Sequence, residues 1–296
     1  MSARTLLVSG ASGQLGRLVL DRLLSLKTGD RLVAGTRNPD SLKAYADQGV
    51  EIRKVDFDDS AESLAQAFAG VDRILIVSTD ALDRPGRRQE QHVRAVQAAK
   101  AAKVGHILYT SIVKAYAANP GYLAADHHGT EHALAHSGIP YTILRNNWYF
   151  ENLLGGLGYA VQSGTLADAT GTGRIAFATR QDCAWAAAGA LASHETKSSV
   201  RDITGPELLS RDDLARVLSE VSGKSIASVG LSVDERKAGL EAAGLPAGFA
   251  HVIADSEDAM AKGWLALLSD DVALFSGTAP TGLRAFLEAN RAALGF

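Results

Sequence analysis

The chain has 296 residues, 46% of them hydrophobic and 21% charged, which is enough for one large domain or two modest ones with a buried core. Thirty Lys and Arg residues stand against 33 Asp and Glu residues, and the resulting charge of −3 excludes a broad basic surface for nucleic acid or an anionic membrane. The single cysteine, Cys183, excludes an internal disulfide and is typical of a reducing compartment.

The N-terminal residues lead directly into an apolar run and a glycine turn, without the apolar core and cleavage site of a secretion signal. The longest apolar runs span a few residues, far below the ~20 needed to cross a bilayer. We therefore expect a cytoplasmic protein with no membrane insertion. A homodimer is left open.

Short, continuous apolar runs recur through the first half of the chain, a pattern typical of parallel strands that are buried on both faces. Helical segments with recognisable ends separate the runs. Six strands with five crossings predict an α/β fold, a Rossmann-type doubly wound parallel sheet. The predicted strands are 6–8, 32–34, 52–55, 74–77, 107–109 and 141–144.

Capping residues mark several helix starts. Asn38 before Pro39 predicts an N-cap with proline at the first helical position, and Asp59 with Glu62 predicts a capping box. Ser210 and Ser232 predict two further capped helices in the second half.

The regular alternation ends near residue 150, where glycine becomes frequent and the periodicity weakens. No Pro- or Ser-rich linker separates the halves, which argues against a tethered second domain. We predict an NAD(P)-binding Rossmann domain over 1–150 and a smaller α/β substrate-binding lobe over 151–296, partly interleaved with the first.

The turn after the first strand contains Gly10, Gly13 and Gly16 in the pattern Gly-x-x-Gly-x-x-Gly. Glycines at this position let the backbone approach a pyrophosphate, and the following helix N-terminus offers unpaired N–H groups and partial positive charge. A tight strand–helix turn is the alternative. The strand context and the repeated α/β crossings favour dinucleotide binding.

The end of the second strand distinguishes the two nicotinamide dinucleotides. Enzymes that use NAD usually have Asp or Glu here, whereas this chain has Arg37, and its next acid is Asp40, within the following helix. A guanidinium can bind a 2′-phosphate that a carboxylate would repel. The sequence therefore favours NADPH, with NADH as the weaker cofactor. A surface arginine near a helix start is the alternative.

Polar residues follow the next two strands. Because ligands of such sheets bind at the carboxyl ends of the strands, Asp56 and Phe57 are expected to border the adenine, and Ser78 and Thr79 the nicotinamide ribose. Ordinary loop polarity is the alternative for Ser78 and Thr79.

The chain lacks the Tyr-x-x-x-Lys pair with which short-chain alcohol dehydrogenases take a proton from an alcohol, because none of its seven tyrosines has a lysine four residues later. This favours an acceptor that needs little proton help, such as a quinone or another conjugated aromatic electrophile. His128, His132 and His136 share one helix face, but without an HExxH motif or a placed acidic ligand they predict no metal site.

Several segments together resemble the NmrA-like group of atypical short-chain dehydrogenases. Within that group the chain is similar to the bacterial NAD(P)H:quinone oxidoreductases, with the triphenylmethane-dye reductases as near relatives. The likeness runs from residue 5 to about 275, and its most specific part is the string that begins at Arg145. The segments are GASGQLG, TRNP, DFDD, LYTS, ILRNNWYFEN and GTGRIAFATRQDCA.

The resemblance implies a pyrophosphate cradle at the glycine turn, a 2′-phosphate contact at Arg37, and a wall between nicotinamide and substrate over 145–149. Two residues, Asn147 and His132, depart from the family pattern, where glycine and lysine are frequent. The predicted cofactor-binding residues are Gly10, Ser12, Gly13, Gln14, Leu15, Arg37, Asp56, Phe57, Ser78, Thr79, Thr110, Arg145 and Asn146. The predicted substrate residues are Asn147, Trp148 and Tyr149.

Trp148 and Tyr149 offer flat faces on which an aromatic acceptor can stack, and core aromatics that cap the sheet are the alternative. Tyr149 and His128 are the candidate catalytic residues for polarising a carbonyl oxygen, with solvent as the alternative proton source. The sequence therefore predicts an NADPH-dependent reductase that transfers a hydride to a quinone or similar electrophile. A redox-sensing regulator without turnover and a reductase of triphenylmethane-type dyes are the other hypotheses.

Overall fold

The structure, a computed structural model, describes residues 3–296 and centres on a parallel sheet. The strands are β1 (Thr5–Val8), β2 (Arg31–Thr36), β3 (Glu51–Lys54), β4 (Arg73–Ile76), β5 (His106–Ile112), β6 (Tyr141–Asn146), β7 (Thr165–Asp168), β8 (Ser199–Ile203) and β9 (Ala227–Gly230). Seven of them form the main sheet in the order β3-β2-β1-β4-β5-β6-β8, and every neighbouring pair is parallel.

Helices cover both faces of this sheet. The helices are α1 (Gln14–Leu26), α2 (Lys43–Ala46), α3 (Ala61–Ala67), α4 (Arg87–Ala101), α5 (Tyr122–Ala135), α6 (Leu154–Ser163), α7 (Arg180–Ala192), α8 (Arg211–Ser222), α9 (Val233–Ala242), α10 (Ala247–Ala261), α11 (Asp271–Ser276), α12 (Leu283–Ala289) and α13 (Arg291–Leu294). Short 3₁₀ turns occupy Pro39–Leu42 and Phe150–Leu153. None of the helices described is long and apolar enough to cross a bilayer.

Two apolar layers sandwich the main sheet. On one face, strand residues such as Leu6 and Leu108 pack with Val19 of α1 and Ala187 of α7. On the other face, residues such as Leu7 and Ile107 pack with side chains of α3, α4 and α5. Burial on both faces accounts for the continuous apolar runs of the strands. The predicted Rossmann-type doubly wound sheet is confirmed.

The second half of the chain contributes to both parts of the molecule. Its strands β7 and β9 pair with each other, and a separate apolar core there includes Leu157, Leu214 and Phe286. However, β8 extends the main sheet beside β6, and α7 packs against α1. The chain thus returns to the main sheet after residue 150. The division into 1–150 and 151–296 stays a prediction, and its first two residues lie outside those described.

The helix caps only partly follow the predicted pattern. Capping boxes at Ser210 and Ser232 are present, as expected. The predicted cap at Asp59 is wrong: the helix begins at Ala61, so Ser60 is the N-cap, and its Oγ accepts from the backbone N–H of Ser63. Asn38 makes no side-chain cap, and the segment after it starts as a 3₁₀ turn.

Candidate cofactor and acceptor site

The turn between β1 and α1 depends on close backbone contacts at its glycines. Gly10 has φ +58°, a left-handed conformation that favours glycine, and its carbonyl accepts from the N–H of Gly13 (2.9 Å). A Cβ at Gly16 would lie 2.3 Å from the Gly10 oxygen and 2.8 Å from the Cα of Ala11. Only glycine at position 16 lets the helix start this close to the strand end.

The first turn of α1 is open to an anion. Gly13 is the N-cap, so no side chain caps the helix, and the first turn carries no acidic residue. Gly10, Gly13 and Gln14 are exposed, whereas Leu15 is buried against the sheet. Unpaired amides at the positive end of a 13-residue helix suit a phosphate group, as the glycine pattern predicts.

A side-chain hydrogen bond joins this turn to the end of β2. Ser12 Oγ and Thr36 Oγ1 are 2.9 Å apart, which places the start of α1 beside the residues that follow Thr36. Arg37 is exposed and, among residues 3–296, makes no side-chain hydrogen bond or ion pair. Its guanidinium is therefore available to a ligand.

Arg17 is a residue of this region that the sequence reasoning missed. Its Nε donates to the carbonyl of Ser12 (3.0 Å) and its Nη2 to the carbonyl of Ser41 (3.0 Å). It thereby ties the glycine turn to the segment after β2. The sequence marks Arg17 as part of this region only by its position one turn into α1, four residues after Gly13.

The residues after β3 make turn and core contacts. Asp56 Oδ1 accepts from the N–H of Asp58 (3.1 Å), while Phe57 packs into the core beneath α3 and α4. Gln91 (3.0 Å) and Arg87 (2.7 Å) donate to the Asp58 carboxylate, and these bonds lower the pKa of Asp58. Because the side chain of Phe57 is buried, only its backbone and the Asp56 side chain are left for contact with a ligand at this strand end. Their contact with adenine stays a prediction.

The ends of β4 and β5 are joined through Ser78 and Thr110. The N–H of Ser78 donates to Thr110 Oγ1 (2.9 Å), and Thr110 itself is buried. The N–H of Thr79 donates to His92 Nε2 (2.9 Å), and its carbonyl accepts from Arg88 Nε (2.7 Å). The structure thus brings the three predicted residues together at the carboxyl ends of these strands.

Arg145, at the end of β6, is already paired. Its guanidinium donates to both carboxylate oxygens of Glu131 on α5, at 2.9 and 2.6 Å, and Ser111 donates to the same carboxylate. Burial alone would lower the pKa of Arg145, but hydrogen bonding to Glu131 raises it above its ordinary value. The exposed ring of Tyr116 covers the guanidinium at 4.8 Å. The reasoning from sequence missed Glu131 and Tyr116, and a cofactor contact by Arg145 stays a prediction.

Asn146 is 5% exposed and has one polar atom free. Its Nδ2 donates to the hydroxyl of Tyr149 (2.8 Å), whereas its Oδ1 has no partner among the residues described. A buried amide oxygen without a donor is costly, and a bound ligand can satisfy it.

Asn147, Trp148 and Tyr149 are adjacent in sequence but pack in different places. Asn147 is buried, and its Nδ2 donates to the carbonyl of Leu265 in the second lobe (3.1 Å). Trp148 packs on the core of that lobe, whereas Tyr149 packs on the core shared by α1 and α7. Burial raises the pKa of Tyr149 above its usual value, so the phenol stays protonated. Whether they bind substrate stays a prediction.

His128 lies half-buried on α5, and its Nδ1 donates to the carbonyl of Ala115 (3.2 Å). Its Nε2 is then the acceptor of the neutral ring. The exposed rings of His132 and His136 stack with centroids 4.1 Å apart. Across residues 3–296 no group of three or more His, Cys, Asp or Glu is placed to hold a metal ion.

A small cavity lies between the two lobes, beneath Trp148. Its volume is about 20 Å³, which is room for about one water. Most of its lining is apolar, with polar groups from Asn119, Asp255 and Ser256. An aromatic ring can enter this space only if part of the lining moves.

Comparisons with known proteins agree with this geometry. The model of a family described as NAD(P)H-binding matches residues 10–194. Quinone oxidoreductase 2 of Escherichia coli is 39% identical over 258 residues, which cover 87% of this chain and 88% of that protein. Two solved structures superpose with a TM-score of 0.90 over 96% of this chain and 99% of the other.

The first of these structures is an NADPH-dependent quinone oxidoreductase from Escherichia coli, complexed with NADPH, at 37% identity. The second is the Citrobacter sp. triphenylmethane reductase, complexed with NADP(H), at 36% identity. The resemblance inferred from the sequence motifs is therefore confirmed. The family model includes the open turn at Gly10–Gly16 and extends through more than half of the chain, so the chain belongs to the NAD(P)H-binding family.

Proposed function

We propose that this protein is an NADPH-dependent reductase that transfers a hydride to a quinone or a similar conjugated aromatic electrophile. The observation that carries the proposal is the uncapped first turn of α1 beside the exposed, unpaired Arg37. One group suits a pyrophosphate and the other a 2′-phosphate. The similarity to an NADPH-dependent quinone oxidoreductase over nearly the whole chain supports it.

The residues present fit a dinucleotide laid across the carboxyl ends of β1 to β6. Gly10, Ser12, Gly13, Gln14 and Leu15 would hold the pyrophosphate, and Ser78, Thr79 and Thr110 the nicotinamide ribose. The free Oδ1 of Asn146 is suited to a ligand N–H such as that of a carboxamide. The nicotinamide supplies the hydride. Arg37 favours NADPH, with NADH weaker.

The acceptor would bind between the lobes, against Trp148 and beside Asn147 and Tyr149. Reduction of a quinone by NADPH yields a hydroquinone and NADP⁺ and takes up one proton. Tyr149 stays protonated and can therefore donate a hydrogen bond to a carbonyl oxygen. In its imidazolium form His128 carries a second proton, on Nε2, and can deliver it to that oxygen; solvent is the alternative source.

Three further parts of the proposal concern the whole chain. We assign cofactor binding to the Rossmann domain over 1–150 and substrate binding to the smaller lobe over 151–296. The single cysteine, which is buried, favours the reducing cytoplasm. The protomer can act alone or as a homodimer.

The test is a spectrophotometric assay with purified protein, NADPH and one acceptor at a time. We expect loss of NADPH absorbance with p-benzoquinone and a much slower rate with NADH. Oxidation with a triphenylmethane dye but with no quinone would favour a dye reductase. Tight NADPH binding with no oxidation by any acceptor would favour a redox sensor and contradict the proposal.

A further inference from the structure

Side chains of α4 bind both the backbone N–H and the backbone carbonyl of Thr79. Its N–H donates to His92 Nε2 at 2.9 Å, and its carbonyl accepts from Arg88 Nε at 2.7 Å. The two side chains lie one helical turn apart and are buried, at 0% and 5% exposure. The residues that follow, from Asp80 to Arg84, are half-buried or exposed. Thr79 is therefore the anchor with buried partners in the segment after β4, which exposed ion pairs of Asp83 with Arg87 and of Arg84 with Glu90 also join to α4.

The anchor continues into a polar network under the sheet. His92 Nδ1 lies 3.1 Å from Thr130 Oγ1 and 3.2 Å from the hydroxyl of Tyr109. That hydroxyl lies 2.7 Å from His127 Nδ1, and His127 Nε2 is 3.2 Å from Arg88 Nη2. A ring of contacts thus links α4, α5 and β5 and returns to Arg88, which holds the Thr79 carbonyl.

The donors in this network set the proton positions. The Thr79 N–H and the Arg88 guanidinium can only donate, so His92 Nε2 and His127 Nε2 must both accept. Each ring then carries its proton on Nδ1, where hydroxyl oxygens stand as acceptors. Both histidines are consequently neutral, with one tautomer each. A proton added at His92 Nε2 would oppose the Thr79 N–H at 2.9 Å and could bond only the Thr79 hydroxyl at 3.3 Å, so the bond to the backbone would be lost.

We propose that His92 is a positioning residue, which together with Arg88 holds the Thr79 peptide in place so that the Ser78–Thr79 edge is preformed for the nicotinamide ribose. The proposal rests on the proposed function for the identity of the ligand. The tie between His92 and Thr79 is independent of it. His92 does not touch the reacting atoms. Its effect reaches the cofactor through the backbone of Thr79, and the loss of this tie lets the edge move.

Two substitutions distinguish the role of Nε2 of the His92 imidazole from that of Nδ1. In His92→Gln the amide can reach the place of Nε2 and accept from the Thr79 N–H, whereas in His92→Asn it reaches only the place of Nδ1. Each variant loses the imidazole ring and the contact made by one of its two nitrogens. The two are therefore expected to lose similar stability, and each serves as the control for the other. The measurements are hydrogen exchange of the Thr79 amide in the free protein, and KM for NADPH and kcat with p-benzoquinone.

We expect His92→Asn to speed exchange of the Thr79 amide and to raise KM for NADPH, each by about tenfold, with a smaller change in kcat. His92→Gln should restore both towards the wild type. An unchanged Thr79 exchange rate or an unchanged KM in His92→Asn would overturn the proposal, as would equal defects in the two variants.

A measurement on the wild type covers the case in which neither variant folds. Nitrogen-15 spectra of labelled histidine should give His92 as the tautomer with the proton on Nδ1, and the other tautomer would overturn the tie. If the wild type neither binds nor oxidises NADPH, the proposed function fails. The exchange and tautomer results still decide whether His92 holds Thr79.

Discussion

Three of the arginines near the cofactor site already have partners, and one does not. Arg145 is paired with Glu131, Arg88 holds the carbonyl of Thr79, and Arg17 holds the carbonyls of Ser12 and Ser41. Of these four, Arg37 alone is exposed and has no side-chain partner in the described part of the chain. The sequence singled out Arg37 because it directly follows a strand end, which is a local feature. The partners of the other three lie between 5 and 24 residues away along the chain, in neighbouring elements or turns, and nothing in the local pattern marks them as partners.

Arg37→Ala should weaken NADPH binding and leave NADH binding nearly unchanged, because only NADPH carries the 2′-phosphate. A charged hydrogen bond of about 1.5–3 kcal/mol corresponds to a loss of roughly 10- to 150-fold in affinity. Isothermal titration calorimetry with both dinucleotides measures the two values.

Arg31→Ala is the matched control for that change. Arg31 is an exposed arginine at the opposite end of the same strand, and among residues 3–296 its side chain pairs with Glu51 alone, at 3.4 Å. It should leave both affinities as they are. A similar loss for NADPH and NADH in Arg37→Ala would show that the guanidinium does not bind the 2′-phosphate.

At the scale of elements, the sequence predicted the β1–α1 unit and the first six strands, because all of these strands except β3, which is half-buried or exposed at the sheet edge, are mostly buried runs. It missed β8, whose residues Ser199–Ile203 are mostly half-buried at the edge of the sheet and lack such a run. It also grouped Trp148 and Tyr149 as one wall; the two side chains pack on different cores, and their shared contact with a substrate stays a prediction. Neighbouring side chains at a strand end can diverge, and only tertiary packing decides where each one goes.

Gly16→Ala tests how closely α1 must approach β1. Its Cβ would meet the backbone of Gly10 and Ala11 at 2.3–2.8 Å, and neither atom is the end of a flexible side chain. We expect the helix start to shift, with NADPH affinity lost by about tenfold or more and a free energy of unfolding lower by about 1–3 kcal/mol. Calorimetry and urea unfolding measure the two effects.

Gly156→Ala is the control within a helix. Gly156 lies in α6, where a Cβ would meet nothing within 4 Å, so alanine should be neutral or stabilise by about 0.5–1 kcal/mol. If Gly16→Ala kept full NADPH affinity, the close approach of α1 would not be needed for the phosphate site.

At the scale of the whole molecule, the second lobe is tied to the carboxyl ends of the strands. Lys114 Nζ donates to the carbonyls of Gly263 (2.9 Å) and Ala266 (3.1 Å), and Asn147 bonds Leu265 between them. These contacts close the space beneath Trp148. Leu265 is also buried in the apolar core of that lobe together with Val113 and Phe150, so both polar and apolar contacts join the lobe to the strand ends.

Buried histidines make the stability of the whole fold sensitive to acid. Burial, with a smaller effect of a nearby arginine, lowers the pKa of His92 to about 3 and that of His106 to about 4, from an ordinary value of about 6.5. The unfolded chain therefore takes up protons below about pH 6.5 that the folded protein cannot. Stability is fully present above that pH and falls as the pH drops towards 4.

His106→Gln should remove one part of this sensitivity. Gln can keep the contact that His106 Nε2 makes with Thr142 Oγ1 (2.8 Å), but it does not titrate. Between about pH 7 and pH 5, the variant's free energy of unfolding should fall by on the order of 1 kcal/mol less than that of the wild type, as measured by urea unfolding. His136→Gln, at an exposed site, should fall as much as the wild type. Equal losses in all three proteins would mean that His106 does not contribute to the acid sensitivity.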